Sequence, residues 1–149
     1  MGIKIIAKNK RASFDYALEE RIEAGIELQG TEVKSLRAGK VSITEAYITI
    51  DKHGEAWAYN IIIGQYDFGN RFNHEENRKR KLLMHKKQIE DLGHDMKAGG
   101  YTIVPTAIYF KGSRVKLEIA LGKGKKLHDK RQDQAKKDVE RKLKQRNFD

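Results

Sequence analysis

Arg114-Val115-Lys116-Leu117-Glu118-Ile119-Ala120-Leu121 alternates charged or small side chains with branched apolar ones. That is the two-residue period of a strand with one face in a core and the other in water. Just upstream, residues 101–110 (YTIVPTAIYF) form a second apolar, β-rich run, and Lys111-Gly112-Ser113 between the two has turn chemistry. The two runs therefore read as a hairpin. Pro105, the only proline of the chain, cannot donate to a ladder, which points to an edge position or a bulge in its strand.

Outward from this hairpin the β pattern continues. A second hairpin is predicted over 46–50 and 55–63 around Asp51-Lys52-His53-Gly54, with Trp57, Tyr59, Ile61 and Ile63 on one face. Ile26 and Leu28 mark another strand. Two helices interrupt the series: Leu82, Ile89, Leu92 and Met96 fall at helical spacing up to Gly99-Gly100, and a shorter helix runs to Gly39 with Thr31 as its cap. Residues 14–22 fit both periods, because Phe14, Leu18 and Ile22 repeat by four while Tyr16, Leu18 and Ile22 also share a strand face. The fold class is mainly β with short α-helices, arranged as a small closed barrel of which the OB type is one option.

At 149 residues the chain has room for one core and an appendage. Lys and Arg number 31 against 21 Asp and Glu, a formal charge of +10, and a protein this basic meets polyanions. The charge is uneven. Residues 1–122 hold 20 basic and 16 acidic side chains, net +4, whereas residues 123–149 hold 11 and 5, net +6. Five hydrophobic residues in that tail cannot bury much surface, yet Ala135, Val139 and Leu143 repeat by four. Such a segment is expected to be disordered when free and helical when a partner covers that row. Two units follow: a barrel over 1–122 and a basic tail over 123–149.

Several chemistries lose support. No cysteine is present, so disulfides, thiol nucleophiles and Cys-ligated metals are excluded. Residues 1–7 are too short for a signal h-region, and no run approaches the roughly 18 apolar residues of a membrane span; a cytoplasmic protein is expected. His74-Glu75-Glu76 lacks the second histidine of a zinc helix because Arg78 stands there, and His128-Asp129 has no second cluster to complete a two-metal site. Gly122-Lys123-Gly124-Lys125-Lys126 is no Walker loop, since Ile119 occupies the place of its first glycine; a solvated hinge and a direct phosphate contact remain its two readings. No serine sits in a nucleophile elbow. No catalytic residue, metal or cofactor is expected.

The basic clusters carry more information. Arg78-Lys79-Arg80-Lys81 falls at the start of the predicted second helix, where cations oppose the macrodipole, which points to a compensating anion. Tyr16, Tyr47, Trp57 and Tyr66 are candidate base-stacking rings, with barrel core as the competing assignment.

Taken together, Asn9-Lys10-Arg11-Ala12, Phe14-Asp15-Tyr16, Glu23-Ala24-Gly25-Ile26, the run from Leu28 to Gly39, Arg78-Lys79-Arg80-Lys81-Leu82-Leu83 and the run from Gly122 to Arg131 resemble the SmpB family, the tmRNA-binding proteins of bacterial trans-translation. The resemblance implies an OB-fold barrel, and it implies strand rather than helix for residues 14–22. It also implies binding to the tRNA-like domain of tmRNA and entry into stalled ribosomes, with alanyl-tRNA synthetase and elongation factor Tu acting on the same RNA. By that match Asn9, Lys10, Arg11, Tyr16, Glu23, Leu83 and His85 face tmRNA, and Arg78 and Arg80 add phosphate contacts. Lys123, Gly124, Lys126, His128, Asp129, Lys130 and Arg131 match the part that meets the decoding centre of the ribosome. Glu75-Glu76-Asn77 and Met84 depart from the family's usual pattern.

Overall fold

A computed structural model describes residues 2–66 and 73–124. Its elements in chain order are β1 (Ile3–Lys8), α1 (Lys10–Asp15), β2 (Tyr16–Ile26), α2 (Gly30–Arg37), β3 (Val41–Ser42), β4 (Tyr47–Ile50), β5 (Ala56–Tyr59), β6 (Ile62–Ile63), β7 (Arg80–Leu83), α3 (Lys86–Lys97), β8 (Tyr101–Lys111) and β9 (Arg114–Gly124). Six strands close a ring in the order β8, β4, β5, β7, β2, β9 and back to β8, every neighbour antiparallel. β1 adds to the outer half of β8, while β3 and β6 form a separate two-stranded ladder. The result is an OB-fold-like closed β-barrel with short helices, as the sequence and the resemblance implied. Among the described residues no helix is long and apolar enough to cross a membrane.

The strand period of the opening octapeptide is what fills the ring. Val115, Leu117, Ile119 and Leu121 are all buried and meet Ile48, Leu82, Ile103 and Ile108 in one cluster, each worth about 1.5–3 kcal/mol for a fully buried side chain. The hairpin it forms with β8 has a shorter turn than the sequence implied: Lys111 pairs with Arg114, leaving Gly112-Ser113 as a two-residue loop. Gly112 takes φ +63°, the left-handed conformation that the first position of such a loop demands. Pro105 sits in the interior strand β8, and the register against β9 shifts between Pro105 and Ala107. A bulge, not an edge, absorbs the missing donor.

Four local readings change. Leu82 belongs to β7 rather than to the following helix, which starts at Lys86. The cluster 78–81 therefore lies on a loop and a strand, and the macrodipole reason for an anion there disappears. Helix α2 begins at Gly30 with Gln29 as cap; Glu32 Oε1 accepts from the Gln29 backbone N–H at 2.7 Å, while Thr31 Oγ1 lies 2.8 Å from Nδ1 of buried His74. The second hairpin does not keep Trp57, Tyr59, Ile61 and Ile63 on one face. Asn60 adopts φ +60°, which breaks the alternation, so Ala56 and Ala58 point inward on one side of it and Ile61 and Ile63 on the other. Finally, Phe14 and Asp15 close the short helix α1, and the strand begins at Tyr16.

Candidate nucleic-acid interface

Where β2 and β7 lie beside the start of α3, they leave a cleft of about 710 Å³ that brings together Glu23, Leu83 and His85. Strand alternation produces its apolar wall: Leu82 is 1% exposed and Leu83 is 54% exposed on the opposite face. Gly25, paired with Leu83 across the ladder, makes room for it, since a Cβ there would come within 3.1 Å of the Leu83 Cβ. His85 immediately precedes α3, with its backbone N–H held by Gln88 Oε1 at 3.2 Å, and its ring is exposed. Lys81, Lys86 and Lys116 add positive charge to the same walls.

Glu23 is held ionised in this setting. The Tyr109 hydroxyl donates to Glu23 Oε2 and Lys111 Nζ to Oε1 at 3.2 Å. The Tyr109 hydrogen bond, foremost, and Lys111 outweigh the opposing desolvation and keep the carboxyl below its ordinary range, whereas burial first and Glu23 second push the Tyr109 phenol up. A fixed carboxylate among lysines is a hydrogen-bond acceptor for base amino groups or a ribose 2′-hydroxyl. Together with an exposed aliphatic surface and an exposed imidazole, the cleft can read a folded RNA by shape and edge contacts.

The amino-terminal group of predicted residues lies at the far end of β2, roughly 20 Å along the strand from Glu23. Here α1 and the start of β4 bound a slot of about 400 Å³ that includes Arg11, Tyr16 and Tyr47. Lys10 and Arg11 are exposed, and Arg11 Nε donates to Asp15 at 3.1 Å. Asn9 is different. It is 7% exposed, its Oδ1 caps α1 by accepting from the Ala12 N–H at 3.2 Å, and its Nδ2 donates to the Pro105 and Ile43 carbonyls at 3.0 and 3.3 Å. Its side chain is committed to the barrel, so its place on an RNA-facing surface is corrected to a structural one.

Arg80 is corrected for the same reason. Its side chain is 0% exposed, with the guanidinium 2.5 Å from Glu32 Oε2 and further bonds to the carbonyls of Ile61, Arg78, Glu75 and Glu76. Arg78 is half-buried and pairs with Glu32 Oε1 at 2.7 Å. Burial raises the Glu32 carboxyl, but the hydrogen bond from Arg78, the Gln29 backbone N–H and the charge of Arg80 overcome it and hold the group below its usual value. The acid of α2 is the anion that these arginines serve, and a phosphate cannot reach Arg80.

Lys123 and Gly124 continue β9, pairing with Ala17 and Tyr16, so at these two positions the solvated hinge is replaced by strand. Lys126, His128, Asp129, Lys130 and Arg131, and the expected order of the tail as a whole, lie outside the described residues. The sequence reading missed Lys86 and Lys116 as cleft residues. A signal for Lys116 existed, since it occupies an outward position of the opening octapeptide.

Fold and cleft together define the class as an OB-fold-like barrel with an ionic, partly apolar cleft on its outer wall. The chain belongs to the SmpB family: the family model described as SmpB protein matches residues 6–148. It is 52% identical over 145 residues to the SsrA-binding protein of Pelobacter propionicus, covering 97% of this chain and 95% of that one. It is 54% identical over 140 residues to the SsrA-binding protein of Lachnoclostridium phytofermentans, covering 94% and 90%. A solved chain from "tmRNA-SmpB: a journey to the center of the bacterial ribosome" superposes with a TM-score of 0.68 at 43% identity, covering 81% of this chain and 85% of that one.

Proposed function

We propose that this chain is the tmRNA-binding protein of trans-translation, holding the tRNA-like domain of tmRNA and accompanying it onto stalled ribosomes. The observation that carries the reading is the convergence of Glu23, Leu83 and His85. These three residues, matched separately to the family's RNA-facing positions, come from β2, from β7 and from the cap of α3, yet share one cleft. Lys10, Arg11 and Tyr16 extend the contact, while Asn9 and Arg80 support it from inside. RNA recovered with the purified protein should be chiefly one species with an alanine-acceptor-like end. Equal affinity for an unstructured RNA of the same length would overturn the reading in favour of a non-specific binder.

The barrel does the RNA binding, and residues 123–149, net +6, act on the ribosome. Lys123, Gly124, Lys126, His128, Asp129, Lys130 and Arg131 meet the decoding centre, and the residues after them occupy the mRNA channel where message is absent, so message is a steric veto. Alanyl-tRNA synthetase and elongation factor Tu serve the same RNA. Deletion of residues 132–149 should leave affinity for the tRNA-like domain intact and abolish tagging of stalled chains; reduced affinity in that deletion would count against the division of labour.

A further inference from the structure

The outer face of β4 and β5 carries an aromatic surface that the cleft does not use. Tyr47 and Tyr59 are cross-strand partners whose rings stack with centroids 5.4 Å apart and planes 6° from parallel. Two residue pairs further on, and so on the same face, Thr49 faces Trp57, and Trp57 faces Lys81 of β7. The Trp57 ring is pinned by its edge, since Nε1 donates to Asp51 Oδ2 at 3.0 Å, and Asp51 Oδ1 in turn accepts from the backbone of His53 and Glu55. Lys79 Nζ lies 4.5 Å from the centre of that ring. Tyr47, 41% exposed, also borders the slot beside Arg11 and Tyr16.

Core packing does not account for this arrangement. Ala56 and Ala58, on the inward face of the same strand, are fully buried, so Trp57 and Tyr59 stand on the wall, not in the interior. Two tyrosine rings held parallel, with a lysine over the tryptophan next along the same wall, on a +10 protein, are the equipment by which sequence-tolerant RNA contacts are made: a base stacks on a ring and a lysine meets its phosphate. An aromatic pair in which Tyr47 is exposed and Tyr59 half-buried also offers a base its stacking area at little cost in side-chain entropy.

From this geometry we infer a second RNA subsite, centred on Tyr47 and Tyr59 with Trp57 and Lys79 beside them, that takes an unpaired nucleobase by stacking. It rests on the reading of the chain as an RNA-binding protein and adds to it a stacking contact outside the Glu23 cleft. The subsite lies between the slot at Arg11 and the cleft at Leu83, so the two groups of family-matched residues flank it.

Trp57 is the only tryptophan and reports on the subsite directly. The intact chain is titrated with a ten-residue oligo(A) and, in parallel, with the tRNA-like domain, following tryptophan emission. Saturable quenching by oligo(A) is expected, with an apparent affinity about tenfold weaker in Tyr47→Leu and close to the parent in Tyr47→Phe. The urea midpoint of both variants, unchanged at this exposed position, separates binding from folding. Quenching by the tRNA-like domain assigns the stacked base to that RNA; quenching by oligo(A) alone assigns it to another strand. Absence of quenching, or equal affinity in Tyr47→Leu, overturns the subsite. If the tRNA-like domain still binds tightly in that case, the family function stands; if neither RNA binds, the functional reading falls with it.

Discussion

Two ionic groups, one around Glu32 and one around Glu23, use similar residues to opposite ends. Glu32, Arg78 and Arg80 are a closed knot tying α2 to β7 and the loop before it, in which the Arg80 guanidinium bonds to one carboxylate and four backbone carbonyls. Glu23, Tyr109, Lys111 and the nearby Lys116 form an open one at the edge of a cleft whose walls include exposed Leu83 and His85. In the first, desolvation makes the buried pair of Glu32 and Arg80 indispensable to each other, and the Arg80 guanidinium has no hydrogen-bonding capacity left for a ligand. In the second, a charged side chain is oriented by a neighbour and still faces solvent. Density of basic residues in a sequence therefore does not mark a surface that a polyanion can reach; the accessibility of the charge does.

The largest expected effect tests the closed knot. Arg80→Ala should destabilise the fold by about 3–5 kcal/mol, because it strands the buried Glu32 carboxylate; urea unfolding checks this, and a change within about 0.5 kcal/mol would mean the knot is not structural. Asn9→Ala, which removes a cap and leaves the Pro105 and Ile43 carbonyls short of a donor, should cost about 2 kcal/mol in the same assay.

The open group should behave in reverse. Leu83→Ala is expected to leave the unfolding free energy within about 0.5 kcal/mol of the parent while weakening the tRNA-like domain about tenfold. Replacing Lys86 and Lys116 together by Ala should flatten the log–log salt dependence of binding by about 0.9 for each phosphate they neutralise; an unchanged slope would remove both lysines from the interface.

The smallest effect sharpens the comparison through pH. Glu32 has its carboxyl lowered on folding, so the unfolded chain binds its proton first and the associated stability is complete above the ordinary carboxylate value. It is lost as pH falls through the lowered folded value. Acid unfolding followed by circular dichroism should therefore show a shallower slope below about pH 4.3 in Glu32→Gln, on a background of lower stability at neutral pH; an identical slope would show that Glu32 is not the acid-sensitive member.

Much of the barrel was legible because strand period, turn glycine and a lone proline act over a few residues. The alternation from Val115 to Leu121, the hairpin before it, the bulge near Pro105 and the helix ending before Gly99-Gly100 all follow from local chemistry. Leu82 was misassigned for an equally local reason: one apolar residue at the right distance from Ile89 fits a helix as well as a strand. Asn60 was invisible, since a single left-handed residue resets the alternation without changing composition.

The family motifs, strand content and excess positive charge were properties of the chain itself, set by residue type and short-range spacing. Which charges stay open to a partner and which are locked away was a matter of the tertiary fold alone. Arg80 finds Glu32 from 48 positions away, and Glu23 finds Tyr109 from 86. Side chains so distant in sequence become neighbours only when the ring closes, and burial then settles whether an ion pair is internal glue or a binding surface.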